Sequence, residues 1–343
     1  MALWTDLIEP AELTTYARRS LEEKDRAEGR LSAFLPSQFV NDITVRYEKT
    51  NTGLRPVAEY RAYDAESTIG SREGGKRVTL DLPPISQKDK IGEFETLKNR
   101  GVSGFSPNAK ITAARVMDGI VDAILDRVEL QRGQIIESGH ITIEENGMYV
   151  DADLNRDASM TVDAKVKWDK PKSTAVEDLL TWAEAYSEKN GEMPGTILMS
   201  RKMLSALQRS EQVKAMLTTV TTPGIVSIDA LNGLLGAYDL PAVATYNRKV
   251  NHGGEIRSVL DPNKVFLLPE MGTNKLGSTT WGQPAEADNP RYFPAASPER
   301  ERGGIIGSLH EEDDPYGYWV RATSIVLPVM THPDAAMVAT ALA

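Results

Sequence analysis

The sequence of 343 residues predicts an α+β fold organised around one unusually long helix. Apolar residues between positions 111 and 135 recur at steps of three and four, which is the period of a helix. Residues 42–84 instead show the two-residue alternation of strands, and residues 173–270 alternate between predicted strands and helices. At 1.5 Å per residue the long helix would measure about 45 Å. That length exceeds the needs of an ordinary compact domain and favours a flat or extended molecule.

The long helix is predicted at residues 106–138. Ser106 followed by Pro107 is a typical helix start, and Gly139 is a typical stop. Gln131 is the one polar interruption of the apolar stripe. The stripe consists of Ile111, Ala114, Met117, Val121, Ile124, Val128 and Ile135.

Residues 1–45 are predicted to form an amino-terminal arm. Its helix, residues 10–28, carries many charges and few apolar side chains, so it should gain little by packing on its own domain. Two alternatives stay open for this helix: it is solvated, or it packs on a neighbouring subunit.

Residues 46–95 are predicted to contain a long two-stranded hairpin. Strand-like runs end at Tyr63 and begin again at Val78, on either side of a basic, glycine-rich turn at residues 70–77. An isolated hairpin is marginally stable in water, so this one should dock on something. The sequence equally allows an edge hairpin of the main sheet.

The remaining elements follow from turn and cap signals. Asn146-Gly147 predicts a hairpin turn, and Ser173 or Thr174 with Glu177 predicts a capping box. Residues 284–315 are rich in proline, glycine and charge and are predicted to be a surface loop. The predicted strands are 141–143, 148–151, 161–168, 196–199, 242–246, 265–268 and 318–329, and the predicted helices are 173–187, 200–210 and 227–235.

Composition excludes several classes of protein. The formal net charge of −10 argues against general attraction to nucleic acid, and the absence of cysteine removes disulfides, thiolate metal sites and thiol nucleophiles. No signal peptide or membrane-spanning run is recognised, so we expect a protein made and kept in a cytoplasm.

A search for catalytic chemistry finds no candidate. The four histidines are isolated, and phosphate-binding or nucleophile-elbow motifs are missing. Residues 311–314 are four consecutive acids, which could bind calcium but fit a solvated turn better. We therefore expect no enzyme activity, no cofactor and no metal. Asp118, Asp122 and Asp126, the acidic column, are spaced four apart on the long helix and form either a solvated face or a docking ridge for a basic partner.

Three stretches carry a resemblance to a known family. They are residues 161–174 leading into Glu177-Asp178, residues 263–269 with Gly272 and Leu276-Gly277, and residues 318–328 with the segment from Asp334 onward. Together with the order arm, hairpin, long helix, α/β domain and returning strand, they resemble the major capsid proteins of tailed bacteriophages. The likeness is to the lambda-type major capsid protein E family, with the Hong Kong 97-like fold.

The resemblance implies a division of the chain by role. It comprises the amino-terminal arm (1–45), an extended loop (46–95), a peripheral domain (96–168) with its spine helix (106–138), an axial domain (169–311) and a return strand to the peripheral domain (312–343). It also implies hexamers and pentamers of an icosahedral virion shell, assembled in the host cytoplasm around double-stranded DNA that is enclosed without sequence-specific binding.

Further partners follow from the same resemblance. The arm is too short for an internal scaffolding domain, so a separate scaffolding protein is expected, with a portal and, optionally, a decoration protein, and no membrane. Two alternatives are an encapsulin-like bacterial nanocompartment and, more distantly, a cytoplasmic enzyme.

In the resembled family the extended loop lies across the adjacent subunit. Arg72, Lys76 and Arg77, the hairpin cations, are therefore expected to contact the acidic column (Asp118, Asp122 and Asp126) of a neighbouring chain.

Overall fold

The computed structural model of the chain describes residues 9–27, 29–49, 60, 61, 63, 76–98, 107–217, 226–289, 292 and 302–343. Its helices are α1 (Pro10–Asp25), α2 (Glu93–Lys98), α3 (Pro107–Ser138), α4 (Ala175–Asn190), α5 (Arg201–Arg209), α6 (Glu211–Met216) and α7 (Ile228–Ala237). The strands are β1 (Ser37–Phe39), β2 (Thr44–Lys49), β3 (Lys76–Asp81), β4 (Pro84–Ile91), β5 (His140–Glu145), β6 (Met148–Asp153), β7 (Thr161–Asp163), β8 (Thr196–Met199), β9 (Val243–Thr245), β10 (Lys249–His252), β11 (Glu255–Ser258), β12 (Lys264–Leu268), β13 (Gly277–Trp281), β14 (Ile306–Asp313), β15 (Tyr316–Met330) and β16 (Met337–Thr340).

The contacts divide the chain into two units. The first comprises residues 1–45, 79–132 and 278–329, and the second comprises 46–78, 133–277 and 330–343. This division rests on contacts alone and does not test the five-part division by role, which stays a prediction.

The predicted long helix is confirmed as α3, which contains 32 residues. It ends because Gly139 adopts a left-handed conformation, with φ of 70°. The guanidinium of Arg156 donates to the carbonyl oxygens of Ile136 and Glu137, each at 2.7 Å. These bonds satisfy carbonyls that the last turn of any helix leaves without partners.

The first unit contains a five-stranded sheet. Its order is β1-β13-β15-β14, and β4 pairs antiparallel with β15. Helices α1 and α3 pack with this sheet, and the core includes Leu21, Ile124 and Val320. A side chain at Gly307 of β14 would meet Met117 Cε at 2.8 Å and the Leu13 carbonyl oxygen at 3.1 Å. Glycine at this position therefore allows α1 and α3 to lie directly against the sheet.

The second unit contains another five-stranded sheet, in the order β7-β16-β12-β8-β9. Its core is built from α4, α5 and strands such as β8, all four residues of which are buried. Trp168 and Trp182 stack with their ring centroids 5.8 Å apart. Two hairpins, β5–β6 and β10–β11, also belong to this unit.

The predicted strand at 161–168 is confirmed only over its first three residues, and the predicted capping box is wrong. Only Thr161–Asp163 is a strand, because the chain then turns so that Trp168 donates its backbone N–H to Ala341 and buries its ring. Thr174 precedes α4 without a side-chain cap, and the Gln212 side chain accepts the free N–H of Val176 instead, at 3.0 Å.

The predicted surface loop at 284–315 is wrong over its last third. Residues 306–313 form β14, whose first four residues are buried against the core. Glu312 of the acidic run accepts hydrogen bonds from Lys90 Nζ at 2.6 Å and Trp319 Nε1 at 2.7 Å. The run is therefore the paired end of a strand, and no calcium site forms among the described residues.

The hairpin prediction is only partly covered by the described residues. Strands β2 and β3 pair in a two-stranded sheet of their own, which favours a projecting hairpin over an edge of the main sheet. The turn at 70–75 and residues 57–59 and 62 lie outside the described residues.

Candidate functional site: the arm–spine junction

The arm helix α1 packs on its own chain, so the expectation that it gains little by packing on its own domain is wrong. Leu13, Ala17 and Leu21 are spaced four apart, and each is at most 4% exposed. Arg18 donates to the carbonyl oxygens of Arg302 at 2.7 Å and Ile305 at 3.2 Å. A narrow apolar stripe is sufficient here because the flanking polar side chains also find partners.

The acidic column lies beside this arm helix. Tyr16 Oη and Ser20 Oγ each donate to a different carboxylate oxygen of Asp118, both at 2.6 Å. Lys24 Nζ lies 3.4 Å from Asp118 and 3.0 Å from Asp122. Residues spaced four apart on α1 thus meet residues spaced four apart on α3, as expected for two helices lying side by side.

These contacts change the proton affinities of the junction. Burial alone raises the pKa of Asp118, but hydrogen bonds from Ser20 and Tyr16 and the charge of Lys24 outweigh it, so the pKa is lowered. The hydrogen bond to Asp118, followed by burial, raises the pKa of Tyr16 to about 12. The junction is therefore held by an ionised carboxylate and a neutral phenol.

We expect Tyr16→Phe to lower the free energy of unfolding near neutral pH, and we expect this loss to disappear at alkaline pH. Because the pKa of Tyr16 is raised on folding, its contribution is complete below pH 10 and is lost as pH rises through about 12. Near neutral pH the exposed hydrogen bond should contribute about 0.5–1 kcal/mol. Urea unfolding of both proteins between pH 8 and pH 12 measures the difference, which should shrink across that window. A difference that is constant with pH would contradict the assignment.

The contribution of Asp118 to the stability of the junction depends on pH in the opposite sense, because it is lost at acid pH. The lowered pKa of Asp118 means that its contribution is present above about pH 4 and is lost as pH falls through the folded value. Ser20→Ala removes one hydrogen-bond donor to this carboxylate and serves as the matched control at acid pH. It should leave the pH dependence of stability between pH 8 and pH 12 unchanged.

A second, fully buried group anchors the far end of α1. Arg132 is 0% exposed, and its guanidinium contacts Asp25 at 2.7 Å, Glu129 at 3.3 Å and Thr279 at 2.8 Å. The other oxygen of Glu129 accepts the backbone N–H of Leu31 at 2.8 Å. This cluster joins α1, α3 and β13, and sequence reasoning missed it. The available signal was Glu129 and Arg132, two charges three residues apart within an apolar stretch.

The described residues do not test whether the hairpin cations contact the acidic column. Arg72 lies outside the described residues, and only the backbones of Lys76 and Arg77 are described, in β3. Asp122 retains a side chain that is 54% exposed, and Asp126 is partly exposed. The predicted contact between hairpin and column is therefore untested.

The described residues form no group of three or more side chains suited to holding a metal ion. His140 pairs with Asp151 and lies 3.9 Å from Asp153, and His252 lies 3.5 Å from Glu145. No helix in the described ranges is long and apolar enough to cross a membrane.

Similar solved structures show the class of fold. The chain superposes on a structure described as a prophage capsid protein of E. coli CFT073 with a TM-score of 0.67 and 16% identity, covering 98% of this chain and 99% of that one. A phage-related protein of Bordetella bronchiseptica RB50 gives 0.61 and 14%, covering 95% of both chains. The satellite phage P4 procapsid gives 0.52 and 9%, covering 98% of this chain and 92% of the other. The fold is that of phage capsid proteins.

The sequence assigns the family. The model of "Phage major capsid protein E" matches residues 19–341, and the chain belongs to this family. No curated protein matches the chain. The protein is a phage major capsid protein, a structural component of the virion shell that assembles from repeated copies.

Proposed function

We propose that the chain forms hexamers and pentamers of an icosahedral shell that encloses the double-stranded DNA of a tailed bacteriophage. The family match over residues 19–341 carries this proposal. The five-part division by role given above belongs to it. An encapsulin-like nanocompartment is less well supported, because the matching family consists of phage capsid proteins.

The proposed partners follow from the same assignment. Assembly takes place in the host cytoplasm with a separate scaffolding protein and a portal, and a decoration protein can be added. DNA is enclosed without sequence-specific binding, because −10 charges per copy disfavour close contact with phosphates. The protein has no catalytic role in this scheme.

Co-expression with the scaffolding protein, followed by electron microscopy, tests the proposal. We expect closed shells, with subunit interfaces larger than the ~1,600 Å² of a standard complex. Unassembled subunits should not shift DNA at physiological salt. Compact monomers under all conditions, or particles that enclose an enzyme, would contradict the proposal.

We also propose that the hairpin cations reach the acidic column of an adjacent copy. The exposed carboxylate of Asp122 could accept one of them beside Lys24, its partner in the same chain. Each exposed pair would contribute only ~0.2–1 kcal/mol, but the contact repeats throughout a shell.

We expect Arg72→Glu with Lys76→Glu to lower the yield of shells, and Asp122→Lys to restore part of it, because the pair is re-formed with reversed signs. Shell yield is measured by sedimentation at low salt. Asp122→Asn is the matched control, since it also loses the pair with Lys24 but cannot attract the two glutamates. Equal yields from the Lys and Asn variants would rule out this contact.

A further inference from the structure

The second unit contains an open pocket of about 520 Å³. It lies between the loop at 168–171, helix α5 and the junction of α5 with α6. Its apolar lining includes Trp168, Ala206 and Leu342, of which Trp168 and Leu342 are almost fully buried. The charged lining comprises Asp169, Lys170, Lys202, Arg209 and Glu211. In this lining three cationic side chains stand against two carboxylate side chains, whereas acids outnumber bases in the chain as a whole.

A buried hydroxyl without a partner lies in this pocket. Ser210 is 5% exposed, and its Oγ makes no hydrogen bond within the described part of the chain. Ser200 and Ser227 also precede helices, and their hydroxyls accept the N–H groups of Met203 and Ala230. Ser210 precedes α6 without such a bond. A buried hydroxyl without a partner is destabilising, so a group that enters the pocket and accepts a hydrogen bond from Ser210 would be stabilised there.

Helix α2 has exposed apolar side chains and acidic residues that complement the lining of this pocket. It is a helix of six residues, none of them buried, with Phe94 78% and Leu97 57% exposed. So short a helix is not stable by itself in water, and its apolar side chains gain nothing from solvent. Glu93 and Glu95 against Lys98 make it net negative.

We propose that α2 of one copy docks in this pocket of an adjacent copy. Phe94 and Leu97 would cover the apolar lining, and a glutamate carboxylate would accept from Ser210 Oγ and pair with Arg209. The inference rests on the proposed assembly into shells and names a contact that the assembly would use.

Site-specific crosslinking tests this contact, because the chain has no cysteine of its own. Subunits carrying Leu97→Cys and differently tagged subunits carrying Ala206→Cys are mixed before assembly and treated with a short bis-maleimide. We expect a covalent dimer containing both tags in assembled shells, several-fold more abundant than with Ile256→Cys in place of Leu97→Cys. Ile256 is a suitable control because it is 76% exposed on β11.

A charge variant tests the chemistry of the rim. Arg209→Glu should lower the mixed crosslink several-fold, whereas Arg209→Lys should retain it. Shells that form without the mixed crosslink, or with no more of it than the control, would overturn the docking and leave the proposed function intact. Failure of every variant and of the parent to form shells would instead contradict the proposed function, and the docking with it.

Discussion

Arg132→Met should destabilise the first unit by about 3–5 kcal/mol, the cost expected when one partner of a buried ion pair is removed. Arg132 and Glu129 are 0% exposed and Asp25 is 3% exposed. Without the guanidinium, the carboxylates of Asp25 and Glu129 would stay buried and would lose the ion pairs that they make with it. Thr279 would also lose its donor.

Hydrogen exchange measures this loss within the first unit. The amides of residues 117–128 in α3 are followed in unassembled subunits at increasing urea concentration. Arg115→Met is the matched control, because Arg115 is an exposed arginine of the same helix. Adding Asp25→Asn and Glu129→Gln to Arg132→Met should recover part of the stability, since the two carboxylates that lost the guanidinium are then replaced by neutral amides. A loss below about 1 kcal/mol would contradict the role given to this cluster.

Gly133→Ala should destabilise the second unit, although alanine normally favours a helix over glycine by about 1 kcal/mol. A Cβ at residue 133 would lie 2.6 Å from Val259 Cγ1 and closer still to the Val259 carbonyl oxygen. Backbone cannot move aside as a flexible side chain can, so overpacking of about 1–3 kcal/mol should exceed the gain in helix propensity.

Gly119→Ala provides the control within the same helix. A Cβ at residue 119 would meet no atom within 4 Å, and the substitution should stabilise by about 0.5–1 kcal/mol. The urea midpoints of the two variants should therefore move in opposite directions from the parent. Movement of both in the stabilising direction would show that Val259 does not approach α3 as closely as described.

Local signals predicted much of the fold. The apolar period of three and four residues predicted α3 almost to the residue, and Asn146-Gly147 forms the tight turn between β5 and β6, both residues with positive φ. Ser200 and Ser227, the first residues of two predicted helices, cap α5 and α7 with their hydroxyls. These features depend on residues within a few positions of one another, so a single sequence carries them.

Contacts between distant segments could not be predicted in the same way. The partners of Asp118 lie about a hundred positions earlier, and β14 is a strand because β15 pairs with it and two helices cover it. The proline- and glycine-rich composition around residue 300 concealed that strand. The many charged residues of α1 argued against its packing in a core. In the structure, charged residues of α1 such as Arg18 and Lys24 hold the helix in place through hydrogen bonds and ion pairs.

The candidate site was predicted in part. The acidic column was recognised from its spacing, but its described partner is the arm helix of the same chain. The spacing of Asp118 and Asp122 does not show whether their cationic partner is Lys24 of the same chain or a cation of another copy. Tyr16, Ser20 and Lys24, also spaced four apart, were the signal that would have suggested two helices in contact.

A reconstruction of the assembled shell at side-chain resolution tests the central claim, that a subunit with its arm helix docked on its own spine assembles into a closed capsid. The account predicts closed shells in which α1 lies on α3 of the same chain, with Tyr16 and Ser20 on Asp118 and Lys24 on Asp122. Continuous density leading from α1 to the α3 of a neighbouring copy, or the absence of closed shells in the sample, would contradict it.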